Sequence, residues 1–393
     1  MAFQAGPRRI LGSSAVVASP KSPAGGSRET GPAKPTPRFF AVLDGGLVPG
    51  YDGEEKAKKI MATLPLLPGS SPKLVGIARL ASEGESLRLG HEVEYFTLPA
   101  RSLLNRCTSA RLPFTWTINP YRGCEFACKY CYARYTHEFM EMRDGVDFEQ
   151  KIYVKQHAAH LLRQELRRVK PGEEIAIGTA TDPYQPAERR FEVTRAILEE
   201  LTRHQGLEIG LITKGSLILR DLDLLRELQR NNRLFVNLTI TTLNVDLARI
   251  LEPRAPRPDL RMETVRKLNL AGIVAGVSCS PVIPGITDAP QDLERLVRAT
   301  AEAGGKHIFA NPLFLKPCSA AVFLPFLEQE FPQLAAGFHQ RYKDRAFLPK
   351  TYGKRISQLM QRLRQKYGIV RGGDRYGPRP PASSRARMQL NLF

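Results

Sequence analysis

The chain has 393 residues, with 58 Lys and Arg against 39 Asp and Glu, a net charge of +19 and a pI near 9.9. That excess favours a polyanionic partner, DNA or another nucleic acid first. A mean hydropathy of −0.28, with no apolar run near the ~20 residues a membrane helix needs, argues against a spanning segment. Six cysteines over this length, and an opening without a secretory pattern, argue against a disulfide framework and for the reducing cytoplasm.

Residues 1–38 are rich in Pro, Gly, Ser, Ala and basic residues, with Glu29 the only acid, and read as a disordered tail. Residues 39–111 are mixed and carry a strand-like run at 92–98, which suggests an N-terminal elaboration packed against a main domain. From 112 to about 340, strand-like and helix-like segments alternate. Expected strands are 115–119, 174–180, 207–213, 234–241, 272–278 and 307–313. Between them, apolar residues at helical spacing predict helices over 154–169, 193–201, 219–228, 262–270 and 293–303. Six such units suit an α/β core built as a (β/α)6 partial TIM barrel; the dinucleotide fingerprint G-x-G-x-x-G is missing after the first strand. Active sites of barrels gather where strands end, and the strand ends here are polar: Thr179 to Pro186, Thr213-Lys214, Thr239 to Thr242, Cys279 to Asp288 and Asn311-Pro312.

Directly after the first expected strand lie Cys124, Cys128 and Cys131, spaced C-x3-C-x2-C. Thiolates hold iron–sulfur clusters, usually four to a [4Fe–4S] cubane, so three leave one iron open to an outside ligand. The alternative is a structural zinc site with a fourth ligand from Cys107, His137, Cys279 or Cys318, though no second short Cys or His arm is present.

The C-x3-C-x2-C spacing followed by an aromatic, with Tyr130-Cys131-Tyr132, Thr181-Asp182 and Thr213-Lys214, resembles the radical S-adenosylmethionine (SAM) superfamily and, within it, the spore photoproduct lyase group. The resemblance implies that Cys124, Cys128 and Cys131 hold a [4Fe–4S] cluster and that SAM completes it. It also implies that Tyr130 contacts the adenine or ribose, that Lys214 pairs with the SAM carboxylate, and that Thr181, Asp182 and Thr239 contact SAM or lie near it. Reduced flavodoxin or ferredoxin is the implied electron donor. One departure stands out: where the lyases carry a hydrogen-donating cysteine, this chain has Thr179. Cys279, Cys318 or Tyr132 are the candidates to replace it, Cys279 because it is expected at a strand end facing the mouth. Radical modification of RNA or protein, and a metal-stabilised binding module without catalysis, remain as other readings.

Residues 341–368 form a basic extension in which Ile356, Leu359, Met360, Leu363 and Tyr367 share one helix face and Lys354, Arg355, Arg362 and Lys366 the other. Such a stripe can neutralise phosphates. Residues 369–393 read as a flexible tail that closes on Gln389, Leu390, Leu392 and Phe393, which resembles the clamp-binding peptide of bacterial replication proteins and implies a DNA sliding clamp as partner.

Overall fold

A computed structural model of the protein describes residues 74–90, 93–109 and 112–369. The tail expected at 1–38 and the clamp-like terminus at 389–393 therefore lie outside the described residues. Eleven strands are described: β1 (Ser86–Gly90), β2 (Val93–Leu98), β3 (Leu104–Arg106), β4 (Trp116–Ile118), β5 (Tyr121–Arg122), β6 (Lys151–Lys155), β7 (Glu174–Ile177), β8 (Glu208–Thr213), β9 (Arg233–Thr239), β10 (Ala275–Val282) and β11 (Ile308–Pro312).

Seven of them form one sheet in the order β11-β10-β9-β8-β7-β4-β3. Neighbours from β4 to β11 pair in parallel, and β3 pairs antiparallel at the edge. These six parallel strands are the six read from the sequence. The sheet stays open, with β11 and β3 at its two ends, as an incomplete barrel requires. Side chains alternate across each strand. Ile175, Ile177, Ile209, Leu211, Leu234, Val236, Leu238, Ala275, Val277 and Ile308 all join one hydrophobic cluster with the surrounding helices. The opposite, inner face is divided. Near the strand starts it is plugged by Phe114, Ala176, Phe235 and Phe309. Toward the strand ends the same face turns polar, with Asn119, Asn237, Thr239, Ser280 and Asn311.

Of the segment expected as an N-terminal elaboration, the described residues supply β3 to the edge of the main sheet and β1 and β2 to a second sheet, β1-β2-β6-β5. One expectation is corrected. The helix expected from Val154 begins only at Ala158. Residues 151–155 pair instead with β2 and β5, and the left-handed His157 (φ 54°) breaks the chain between strand and helix. The basic helix runs Lys350–Lys366. Its Ile356, Met360 and Leu363 are buried, each worth about 1.5–3 kcal/mol of transfer free energy. Arg364 donates to the Ile308 carbonyl (3.2 Å), while Lys366 and Tyr367 reach Glu294 at 2.6 and 2.8 Å. The helix thus covers the β11 edge, a position that also shields unpaired strand groups.

Candidate active site

The cysteine loop leaves β4 and β5 at the polar end of the inner face. Gly123 opens it in the left-handed region (φ 84°), and a Cβ there would meet the Lys151 carbonyl oxygen at 2.7 Å. Its carbonyl accepts from Thr181 Oγ1 (2.6 Å) and Gln185 Nε2 (3.2 Å), and Gln185 Oε1 accepts from the Glu125 N–H (3.0 Å). Gln185, fully buried, thus brackets Cys124 from both sides. Downstream, the Cys128 carbonyl accepts from Arg134 Nη2 (3.0 Å) and the Cys131 carbonyl from Ser319 Oγ (2.9 Å). These bonds fix the backbone that carries the three thiols.

The thiols suit a cation. Burial first, and then the charge of Asp182 and the other two cysteines, raises the Cys124 pKa; burial pushes Cys128 up to about 12. A bound cation would supply what the thiolates lack. Among the described residues, no three of His, Cys, Asp and Glu converge as ligands of a single ion do. A cubane does not ask for that, since each thiolate binds a different iron. The candidate fourth zinc ligands are engaged elsewhere: His137 Nε2 on the Lys151 carbonyl (3.1 Å), Cys279 Sγ on the Thr241 carbonyl (3.8 Å), Cys318 Sγ on Ser319 Oγ (3.8 Å), and Cys107 against the Phe235–Phe309 plug.

Beside the loop lies a buried charged network. Lys214, at the end of β8, sits with its Nζ 5.7 Å from the centroid of the Tyr130 ring. The Tyr130 hydroxyl donates to Glu252, which also accepts from Thr241 Oγ1 (3.3 Å) and pairs with Arg261 (2.5 Å). Arg261 in turn donates to the Thr239 carbonyl (3.0 Å). Burial pushes the Glu252 carboxyl up, but Arg261 and Lys214 outweigh it and leave it ionised below its usual range. Burial likewise pulls the Lys214 ammonium down, and the charges of Cys128 and Glu252 reverse the direction.

The residues singled out in the sequence divide into groups. Cys124, Cys128, Cys131, Tyr130 and Lys214 come together around this network. Thr181 and Asp182 are occupied inside it: Asp182 accepts from Thr213 Oγ1 (2.6 Å), Tyr184 N (2.9 Å) and Lys214 N (2.6 Å), so it fixes the backbone that carries Lys214. Thr239 closes β9 on the inner face. Tyr132 stands at the rim, 41% exposed, its hydroxyl on the Thr179 carbonyl. Cys279 does not face the mouth as expected: its place on β10 puts it in register with Ala275 and Val277 on the helix-facing side, fully buried. Gln185, Glu252 and Arg261 were missed. Gln185 lies in a polar strand-end run, whereas Glu252 follows the helix Val245–Leu251 and Arg261 lies in the helix Pro258–Leu270, with no motif to mark either.

The sequence model of the radical SAM superfamily matches residues 118–298, the stretch from the end of β4 into the helix before β11. An uncharacterized protein of Mycobacterium tuberculosis is 33% identical over 305 residues, covering 77% of this chain and 88% of that one. The chain belongs to the radical SAM superfamily. A more distant relative, an uncharacterized protein of Methanocaldococcus jannaschii, is 27% identical over 246 residues, 62% of this chain and 86% of its own. Among solved structures, a spore photoproduct lyase variant superposes with TM-score 0.53 at 14% identity, covering 80% of this chain and 92% of the lyase. Another variant, with bound AdoMet and dinucleoside spore photoproduct, gives 0.51 at 13% identity over 80% and 90%. At this identity the likeness establishes the fold. As a radical SAM enzyme the protein uses a [4Fe–4S] cluster and SAM, a pairing that the thiol-rich loop fits and a structural zinc site does not.

Proposed function

We propose that this radical SAM enzyme acts on nucleic acid and repairs a DNA lesion in the manner of a photoproduct lyase. The observation that carries the reading is the reach of the fold likeness: it covers 80% of the chain, and one of the matching lyases holds a dinucleoside photoproduct. The net charge of +19 supports the same class of substrate.

In this reading Cys124, Cys128 and Cys131 hold the cluster. When bound, the cluster and SAM supply a 5′-deoxyadenosyl radical. Lys214 binds the SAM carboxylate through a charge-assisted hydrogen bond, and Tyr130, locked by Glu252, sets the face against which the nucleoside part rests. Thr239 offers a hydroxyl at the end of β9. Thr181 and Asp182 act through the loops they hold. With Cys279 turned away and Cys318 on Ser319, the return of a hydrogen atom is assigned in this reading to Tyr132, whose hydroxyl lies on the Thr179 carbonyl. Reduced flavodoxin or ferredoxin fits the need for an electron donor, and the terminal Gln389, Leu390, Leu392 and Phe393 would bring the enzyme to a sliding clamp.

The test is anaerobic incubation of the reconstituted enzyme with SAM, a reductant and ultraviolet-irradiated DNA, followed by nucleoside analysis. Loss of one photoproduct, with undamaged DNA unchanged, is the expected result. Unaltered photoproducts, with a modified nucleoside or peptide formed when RNA or peptide replaces the DNA, would contradict the lesion reading.

A further inference from the structure

Among the described residues, only three aromatic side chains stand among the exposed large hydrophobics: Tyr132 (41% exposed), Phe139 and Phe347 (49%). Two of them flank Phe314 in one row. The Tyr132 and Phe314 rings lie 6.0 Å apart, and Phe314 stacks on Phe347 at 4.7 Å with 20° between planes. The row is held in place. Tyr132 is pinned by its hydroxyl on the Thr179 carbonyl, and Phe314 and Phe347 face each other across an antiparallel bridge, next to a Leu315 N–H to Ala346 carbonyl bond of 3.0 Å. It runs from the residue after Cys131, beside the end of β7, to the segment after β11, and so crosses the rim of the polar inner face. Along the chain on either side of Phe347 the exposed charges are Lys343, Arg345 and Lys350 against Asp344. Lys316, two residues after Phe314, lies 3.7 Å from the centroid of the Tyr135 ring.

We propose that the Tyr132–Phe314–Phe347 row is a stacking platform that receives an unpaired base of a nucleic-acid strand beside the cysteine loop. The inference rests on the nucleic-acid reading above and adds the strand form that the site takes. Half-exposed aromatic rings are costly to leave in water, and fixed rings stack bases with little further loss of freedom. Flanking cations in excess of acids suit the phosphates that join such bases. An apolar peptide would use the rings but not the charges.

The probe is a fluorescein-labelled single-stranded oligonucleotide, with an abasic counterpart, titrated with the cluster-loaded enzyme and read by anisotropy. Phe347→Ala is expected to weaken binding of the intact strand about 5- to 100-fold, to leave the salt dependence unchanged, and to matter little on the abasic strand. Phe347→Trp is expected to keep wild-type affinity, with iron content and circular dichroism of both variants matching wild type. Wild-type affinity in Phe347→Ala and Phe347→Leu would overturn the platform while leaving nucleic-acid binding intact. A changed elution volume for Phe347→Ala at unchanged strand affinity would assign the row to contact between copies and also overturn it. A wild-type enzyme that binds no strand at all would remove the nucleic-acid reading itself.

Discussion

The two faces of the main sheet use the same strands for different ends. On the helix-facing side alternate residues of β7 to β11, among them Ile175, Leu211, Val236, Val277 and Ala310, are apolar and buried in one cluster. On the inner side the polar residues hydrogen-bond sideways to one another. Asn237 Oδ1 meets His307 Nε2 at 2.8 Å, Asn311 donates to Ser280 Oγ at 2.9 Å, and Ser278 donates to the same oxygen at 3.1 Å. The outer face makes the fold, by burial that any well-fitting aliphatic side chain can supply. The inner face costs stability to build, and its polar end lies where the cysteine loop, Lys214 and Tyr132 meet. A substitution on the helix-facing side should therefore be felt as lost stability alone, and one at the polar end as lost chemistry, joined by lost stability where it strips a buried charge of its partner.

The largest effect on folding that would sharpen this contrast lies in the network under the site. Glu252→Ala leaves Arg261 as a buried, unpaired charge and should cost about 3–5 kcal/mol, measured by denaturant unfolding. A loss below 1 kcal/mol would show that the pair is solvated. Next, Lys214→Ala should weaken SAM binding about 10- to 100-fold in isothermal titration, with the iron content unchanged; Lys214→Arg should recover part of it. Unchanged SAM affinity would return Lys214 to an ordinary strand-end lysine. The smallest effect belongs to the outer face. Cys279→Ala should cost about 1 kcal/mol and leave SAM cleavage at the wild-type rate. If it abolished product formation on DNA at unchanged SAM cleavage, Cys279 would be the hydrogen donor after all, and the division between faces would break.

The parallel strands were legible because each is a buried run ended by Gly, Pro or a polar cluster, and the cysteines because their spacing is specific. Strand parity puts Cys279 on the same face as Ala275 and Val277, whereas its strand-end position alone suggests the mouth. The second sheet was hidden because Val154 and Lys155 continue smoothly into an amphipathic helix pattern, and only pairing with distant β2 decides between strand and helix. Glu252 and Arg261 were hidden for a similar reason: two charges nine residues apart look like a solvated surface until the fold buries both. Gln185 shows its role only when Gly123, more than sixty residues earlier, is brought against it.

The most direct measurement is anaerobic purification with iron reconstitution, followed by reduction with dithionite in the presence of SAM and chromatography for 5′-deoxyadenosine. Four irons per chain in a cubane are expected, with formation of the nucleoside, loss of both in Cys124→Ala, Cys128→Ala or Cys131→Ala, and Cys107→Ala unaffected. Loss of the cluster in Cys107→Ala, or bound zinc without SAM cleavage, would contradict this expectation.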